Sequence, residues 1–153
     1  MVISEKAAVW VTFASYSGGR RPNPSYEQVC TGVTGHAETI NVIYDDKIIR
    51  TEDILKIFWE CHDPTQGMRQ GNDIGEQYRS AIYCINDKQL ELATKSKELF
   101  EKTLINQGYK GITTEIDINQ SSYPAEEYHQ QYLAKNPNGY CGIKGTGCAL
   151  PPL

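Results

Sequence analysis

Three groups of side chains in this 153-residue chain have the chemistry of a reaction centre. The first is a single carboxylate. Glu38 shares strand parity with Ile40, Val42 and Tyr44, so a core-facing strand would carry its carboxyl into a low-dielectric setting. Burial raises a carboxylate's pKa, and a carboxylic acid kept protonated near neutral pH can give its proton to a developing oxyanion. The alternative is a glutamate at a strand end beside water, paired with His36 or a loop lysine. The second group is Tyr26, Asp73 and Tyr78, which fall in or at the edge of loops close to glycine and proline, where a rigid scaffold presents polar groups to ligands. Tyrosine hydroxyls donate to an acceptor oxygen while their rings form an apolar wall. Packing tyrosines, and an aspartate that only caps the Gly71-Asn72-Asp73 turn, are the plainer readings. The third group is Cys141 and Cys148, in the glycine-rich run CGIKGTGC. That setting suits thiols that travel to another sulfur and exchange.

The other cysteines and the histidines point elsewhere. Cys61 and Cys84 have apolar neighbours and read as core thiols, whereas Cys30 fits no single role. CxxC pairs are absent and His36, His62 and His129 form no pair at metal-binding helical spacing, so no metal is expected. The sequence carries no GxSxG, Walker A or dinucleotide fingerprint, and no cofactor is expected.

Positioning these groups falls to alternating strands and helices. Val9–Tyr16 is rich in β-branched and aromatic residues and ends at Ser17-Gly18-Gly19; His36–Tyr44 alternates as a second strand. Thr51 can cap a helix with Ile54, Ile57, Phe58 and Cys61 on its apolar face, ended by Pro64. The stretch from Asp63 to Gln77 has three glycines and no apolar period, as functional loops do. Tyr78–Ile85 reads as a third strand. Asn86 or Asp87 then caps a helix to Gln107, with Leu90, Ala93, Phe100 and Leu104 as its core stripe. Ile112–Ile118 alternates as a fourth strand, and Pro124 can open a helix through Leu133. This order predicts an α+β, two-layer sandwich, with residues 1–140 as one domain and 141–153 as a flexible tail.

A formal net charge of -4, from 19 acidic and 15 basic residues spread along the chain, excludes a basic stripe for nucleic acid. Neither a membrane-length apolar run nor a secretory pattern in Met1–Ala8 is present, and an odd count of five cysteines argues against a disulfide framework. We therefore expect an intracellular protein, cytoplasmic or mitochondrial, a monomer that touches neither nucleic acid nor membrane.

Four blocks, in order, resemble one family. NPSYEQVC (Asn23–Cys30), TGHAE (Thr34–Glu38), FWECHDPTQGMRQGNDIGEQYRSAIY (Phe58–Tyr83) and AEEYHQQYLAKNPNGYCG (Ala125–Gly142) are similar to the A-type peptide methionine sulfoxide reductases. The resemblance implies thiol-dependent reduction of the S-epimer of methionine sulfoxide, free or in proteins, as repair of oxidative damage. It also implies roles: Glu38 protonates the sulfoxide oxygen, Tyr26 and Tyr78 hydrogen-bond it, and Asp73 orders the polar side of the pocket. Cys141 then resolves a sulfenic acid, Cys148 exchanges into that disulfide, and thioredoxin reduces the exposed bridge. The family's nucleophilic cysteine stands in a GCFWG motif, which this sequence does not contain. The resemblance thus implies a ferredoxin-like fold without its first strand and most of its first helix. Two other functions compete: a non-catalytic module that binds oxidised methionine, and a thioredoxin-linked redox protein using only the tail cysteines.

Overall fold

β1 (Val9–Ser17) and β2 (Ala37–Tyr44) pair antiparallel, and their register sets Tyr16 opposite Glu38. The computed structural model describes residues 8–119 and 121–153; the reading of the chain's first seven residues lies outside these. Both strands lie within one residue of expectation, because β-branched and aromatic residues run unbroken between glycine punctuation. β7 (Ser122–Pro124) joins the far end of β1, giving the order β2-β1-β7. On the face opposite Tyr16, a polar seam closes the sheet: Ser15 Oγ and Thr39 Oγ1 share a 2.9 Å hydrogen bond, and Asn41 donates to Ser122 at 2.6 Å.

The second half is a parallel crossover. β5 (Ala81–Cys84) leads through α3 (Asp87–Asn106) to β6 (Glu115–Ile118), and the two strands pair parallel. α2 (Thr51–Cys61) packs beside α3, so the helices form one layer and the strands the other, an α+β two-layer sandwich as expected. The core lies between them: Leu55 and Trp59 of α2, Ala93, Phe100 and Leu104 of α3, Cys84 of β5, and Ile112. The Trp59 indole donates to Ser96 at 2.8 Å, which satisfies the one polar atom of a fully buried ring.

Several local expectations shift. The buried line of α2 is Leu55, Trp59 and then His62, not the stripe through Ile57 and Cys61, and Cys61 is exposed. Arg50 is the N-cap of that helix, while the Thr51 hydroxyl meets Tyr44 at 2.8 Å instead. The fourth strand is only Glu115–Ile118, since Thr113 before it donates to Pro64 O at 2.9 Å and is bound to the neighbouring loop rather than the sheet. The helix expected after Pro124 is a 3-10 turn (Glu127–His129) followed by a four-residue α4 (Tyr132–Lys135). Gln130 explains the break. Its amide accepts from Ala14 N at 2.8 Å and donates to the carbonyls of Ala14 and Ala125 at 2.9 Å, standing in for a strand residue on the edge of β1.

The tail has two dissimilar ends. Leu150 is 7% exposed within the main core, its N–H donates to Glu60 Oε1 at 2.9 Å, and Leu153 packs nearby. Cys141 is exposed.

Candidate functional site

Four of the predicted residues arrive from four different elements. Tyr26 is the first residue of α1 (Tyr26–Cys30), a short helix held open-ended by a capping box: Gln28 N donates to Ser25 Oγ at 3.3 Å, and Ser25 N to Gln28 Oε1 at 3.1 Å. Glu126 anchors this helix to the sheet. Its two oxygens accept from Tyr16 Oη and Tyr26 N, each at 2.7 Å, and these donors hold the carboxyl below its ordinary range despite partial burial.

Glu38 stands in β2 opposite Tyr16, so both side chains share the face that α1 and Ala125 cover. Strand parity does not bury Glu38: the residue is exposed, at a strand end beside water, although Tyr16 opposite it is not. Tyr16 is buried whereas Ile40, further along the same face, is 43% exposed. Even so, partial loss of hydration, and then the negative charge of Asp73, push its pKa up. The plainer reading of Glu38 as a partner of His36 is not realised. His36 is buried with both nitrogens engaged, one accepting from Gly19 N at 3.0 Å and the other donating to Arg21 O at 2.7 Å.

Tyr78 ends the 3-10 turn Glu76–Tyr78, and burial followed by the charges of Glu38, Cys30 and Asp73 pushes its hydroxyl's pKa up. Asp73 opens β4 (Asp73–Ile74), the second strand of a two-residue hairpin with β3 (Arg69–Gln70). Gly71, at φ +61°, makes the turn between them possible. The guanidinium of Arg79 fixes the Tyr78 segment against β2 by donating to Gly35 O at 2.9 Å, Glu76 O at 2.9 Å and Glu115 Oε2 at 2.8 Å.

The pattern is a carboxylic acid biased towards its protonated form, flanked by two tyrosines biased the same way. Such a surface can deliver a proton and two further hydrogen bonds to an oxygen that gains negative charge.

Sequence reasoning left out two participants. Cys30, one turn along α1 from Tyr26, is the neighbour that does most to raise the tyrosine's pKa. The signal for it was the four-residue spacing on a capped turn. Tyr140 is the other; loss of hydration and then the charge of Asp73 raise the pKa of its hydroxyl. Cys148 packs partly buried against the main core, away from the Glu38 face, and all five thiols are free. Among the described residues, no group of three or more His, Cys, Asp or Glu side chains could hold a metal ion, and no helix is long and apolar enough to cross a membrane.

Known proteins supply the context. The sequence pattern described as peptide methionine sulfoxide reductase matches residues 1–148. The peptide methionine sulfoxide reductase MsrA of Azotobacter vinelandii is 55% identical over 148 residues, 97% of this chain and 68% of that protein. The MsrA of Brucella anthropi is 55% identical over 94% of this chain and 66% of its own length, so the chain spans about two thirds of these curated relatives. Among solved structures, methionine sulfoxide reductase A of Corynebacterium diphtheriae superposes with a TM-score of 0.86 at 40% identity, covering 99% of this chain and 76% of that one. Reduced Mxr1 of Saccharomyces cerevisiae gives 0.80 at 34% identity over 95% of this chain and 80% of its own. These relatives are named oxidoreductases, and with a match that runs along nearly all of the sequence and fold, the chain belongs to the peptide methionine sulfoxide reductase family.

Proposed function

We propose that this chain serves the reduction of S-methionine sulfoxide, free or within proteins, and that Glu38, Tyr26, Tyr78 and Asp73 form the side of the pocket that receives the sulfoxide oxygen. The observation that carries this reading is the convergence of a carboxyl whose pKa is raised with two tyrosines whose pKa values are raised in part by it. When a thiolate attacks the sulfoxide sulfur, the S–O bond's oxygen gains charge. Glu38 gives it a proton, the two tyrosines hold it, and the products are methionine and a cysteine sulfenic acid. Cys141 then forms a disulfide with the sulfenic sulfur as water leaves, and Cys148 exchanges into that bridge. Yeast Mxr1 is also seen in complex with Trx2. The same class of reductant, a thioredoxin, is proposed here for the tail bridge, in an intracellular, reducing compartment. In this scheme residues 1–140 act as one domain and 141–153 as its resolving tail.

The sequence has no GCFWG motif, and this favours a second reading in which the pocket binds oxidised methionine without turning it over. One experiment separates the two. Binding of the S- and R-epimers of a blocked methionine sulfoxide is followed by NMR, beside methionine release in dithiothreitol. Saturable S-selective binding that Glu38→Ala abolishes supports the pocket. Release of methionine then assigns turnover, and its absence leaves a binding module. No binding of either epimer overturns both.

A further inference from the structure

Tyr26 can serve an oxygen beside Glu38 only if its ring is held in step with β2, and α1 alone does not do this. The helix is five residues long, and the N–H of its first residue, Tyr26, has no acceptor within the helix. Glu126, a hundred residues downstream, provides one. Its Oε1 accepts from Tyr26 N and its Oε2 from Tyr16 Oη, each at 2.7 Å. Hydrogen bonds to an ionised carboxylate are the strong kind, and here one carboxylate joins two elements.

The turn that carries Glu126 is itself fastened to the edge of β1. Ala125 N donates to Ala14 O at 2.9 Å, and the Gln130 amide accepts from Ala14 N at 2.8 Å. Between these two anchors, His129 N donates to Glu126 O at 2.9 Å, and the His129 ring lies against Tyr26 with centroids 4.5 Å apart and planes tilted by 55°. Glu126 thus holds the backbone of Tyr26 while the same turn supports its ring. Tyr16, the second donor to Glu126, stands opposite Glu38 in the register of β1 and β2. The positions of Glu38 and Tyr26 are therefore referred to one side chain, Tyr16, through Glu126.

We propose that Glu126 is a positioning residue of the oxygen-binding pocket: by bridging Tyr16 and Tyr26 it fixes the Tyr26 hydroxyl relative to the Glu38 carboxyl, and through that spacing sets the preference for the S-epimer. The proposal rests on the function proposed above in taking this pocket as the sulfoxide site. The two epimers differ in where the oxygen lies once the side chain is seated, so a donor fixed in place serves one of them. Position 126 then needs reach and two polar atoms more than it needs charge. A glutamine meets that need, since its carbonyl can accept from Tyr26 N while its amide donates to a Tyr16 hydroxyl turned to accept. An aspartate keeps the charge but is one methylene too short to span both partners.

The test uses the whole chain with Glu126→Gln and Glu126→Asp, and two NMR readouts. One is the NOE between the Tyr26 and His129 rings, which needs no sulfoxide. The other is binding of the S- and R-epimers of blocked methionine sulfoxide. Glu126→Gln is expected to keep the ring NOE and to bind the S-epimer within about twofold of the parent. Glu126→Asp is expected to lose the NOE and to weaken S-epimer binding about three- to tenfold, the worth of one hydrogen bond, so that the ratio of S to R binding falls. A general loss of folded protein would lower both epimers alike and leave that ratio unchanged. Tyr16→Phe, which removes one donor and leaves Glu126 intact, is the milder variant and should weaken the ring contact in the same direction. A ring NOE and an epimer ratio equal to the parent's in Glu126→Asp, or an aspartate that outperforms the glutamine, would overturn the positioning role. If the parent binds neither epimer the proposed function falls, and the ring contact alone decides: kept in Gln and lost in Asp supports the bridge, and any other pattern overturns it.

Discussion

Removing the side chain of Leu150 tests whether the end of the tail is part of the core. Leu150→Ala deletes three carbon atoms from a site that is 7% exposed, among Leu55, Trp59, Phe100 and Leu104. At roughly 0.8 kcal/mol per buried methylene the transfer loss is about 2.4 kcal/mol. Residual cavity would add to this, towards the ~3–5 kcal/mol seen when buried leucines are truncated. A residue three from the terminus has an escape that an internal leucine lacks. If the tail peels away, the loss is capped at the free energy with which it docks, so about 2–3 kcal/mol is expected. Urea unfolding followed by tryptophan fluorescence measures it. The sequence has two tryptophans, and Trp10 is 69% exposed, so the signal change reports Trp59 beside the deleted side chain. The midpoint should fall while the slope stays constant. A shift worth less than about 0.5 kcal/mol would refute the reasoning, because surface substitutions reach that size.

Three further outcomes follow from the same structure. Burial holds the His62 pKa below its ordinary value, and the buried ring accepts from Ser80 while donating to Phe58 O, each contact at 2.7 Å. A depressed folded-state pKa contributes stability above the unfolded value of about 6.5 that is lost as pH falls through the folded one, so His62→Asn should flatten this part of the acid limb of a stability profile. Glu38 has the opposite sign. Its raised pKa contributes stability that is complete below the unfolded carboxylate value and lost as pH rises through the folded one, so Glu38→Gln should gain on the parent in urea titrations as pH rises to neutral, while any methionine release disappears. Arg79, whose side chain is 10% exposed, forks between Gly35 O, Glu76 O and Glu115; Arg79→Lys should cost about 1–3 kcal/mol in thermal unfolding and broaden the Tyr78 resonances.

The long elements were legible because local signals agreed. α3 runs from Asp87 to Asn106 as expected, since an Asn86 cap that accepts from Gln89 N and a spaced line through Ala93, Phe100 and Leu104 specify the same helix. The failures came where a distant partner decided. Nothing local says that the Gln130 amide will bond to the edge of β1, and that bond ends what a propensity argument extends as helix. Cys61 was misread for a related reason. The helix turns its Leu55–Trp59 line towards α3, and which of two apolar lines faces inward depends on the neighbour, not on the period.

The site was legible in its residue types and illegible in its joints. Glu38 could be nominated from strand parity, but parity treats the whole face of β2 as one environment, and the structure divides it: Glu38 and Ile40 are both exposed, yet only Glu38 has the buried Tyr16 opposite it and the charge of Asp73 nearby. What divides the face is α1, five residues long, too short to persist on its own and held by a capping box and by Glu126, a hundred residues downstream of Tyr26. The same carboxylate ties Tyr16 to Tyr26. Glu126 therefore sets where the Tyr26 hydroxyl can point, although no pattern around residue 126 announces that task. Asp73 is the parallel case on the other side of the pocket. Its charge raises the pKa of both Glu38 and Tyr140, so one side chain couples the proton donor to the segment that carries Cys141. A sequence read residue by residue finds the donors. The carboxylates that aim them are found only when the chain is seen to return.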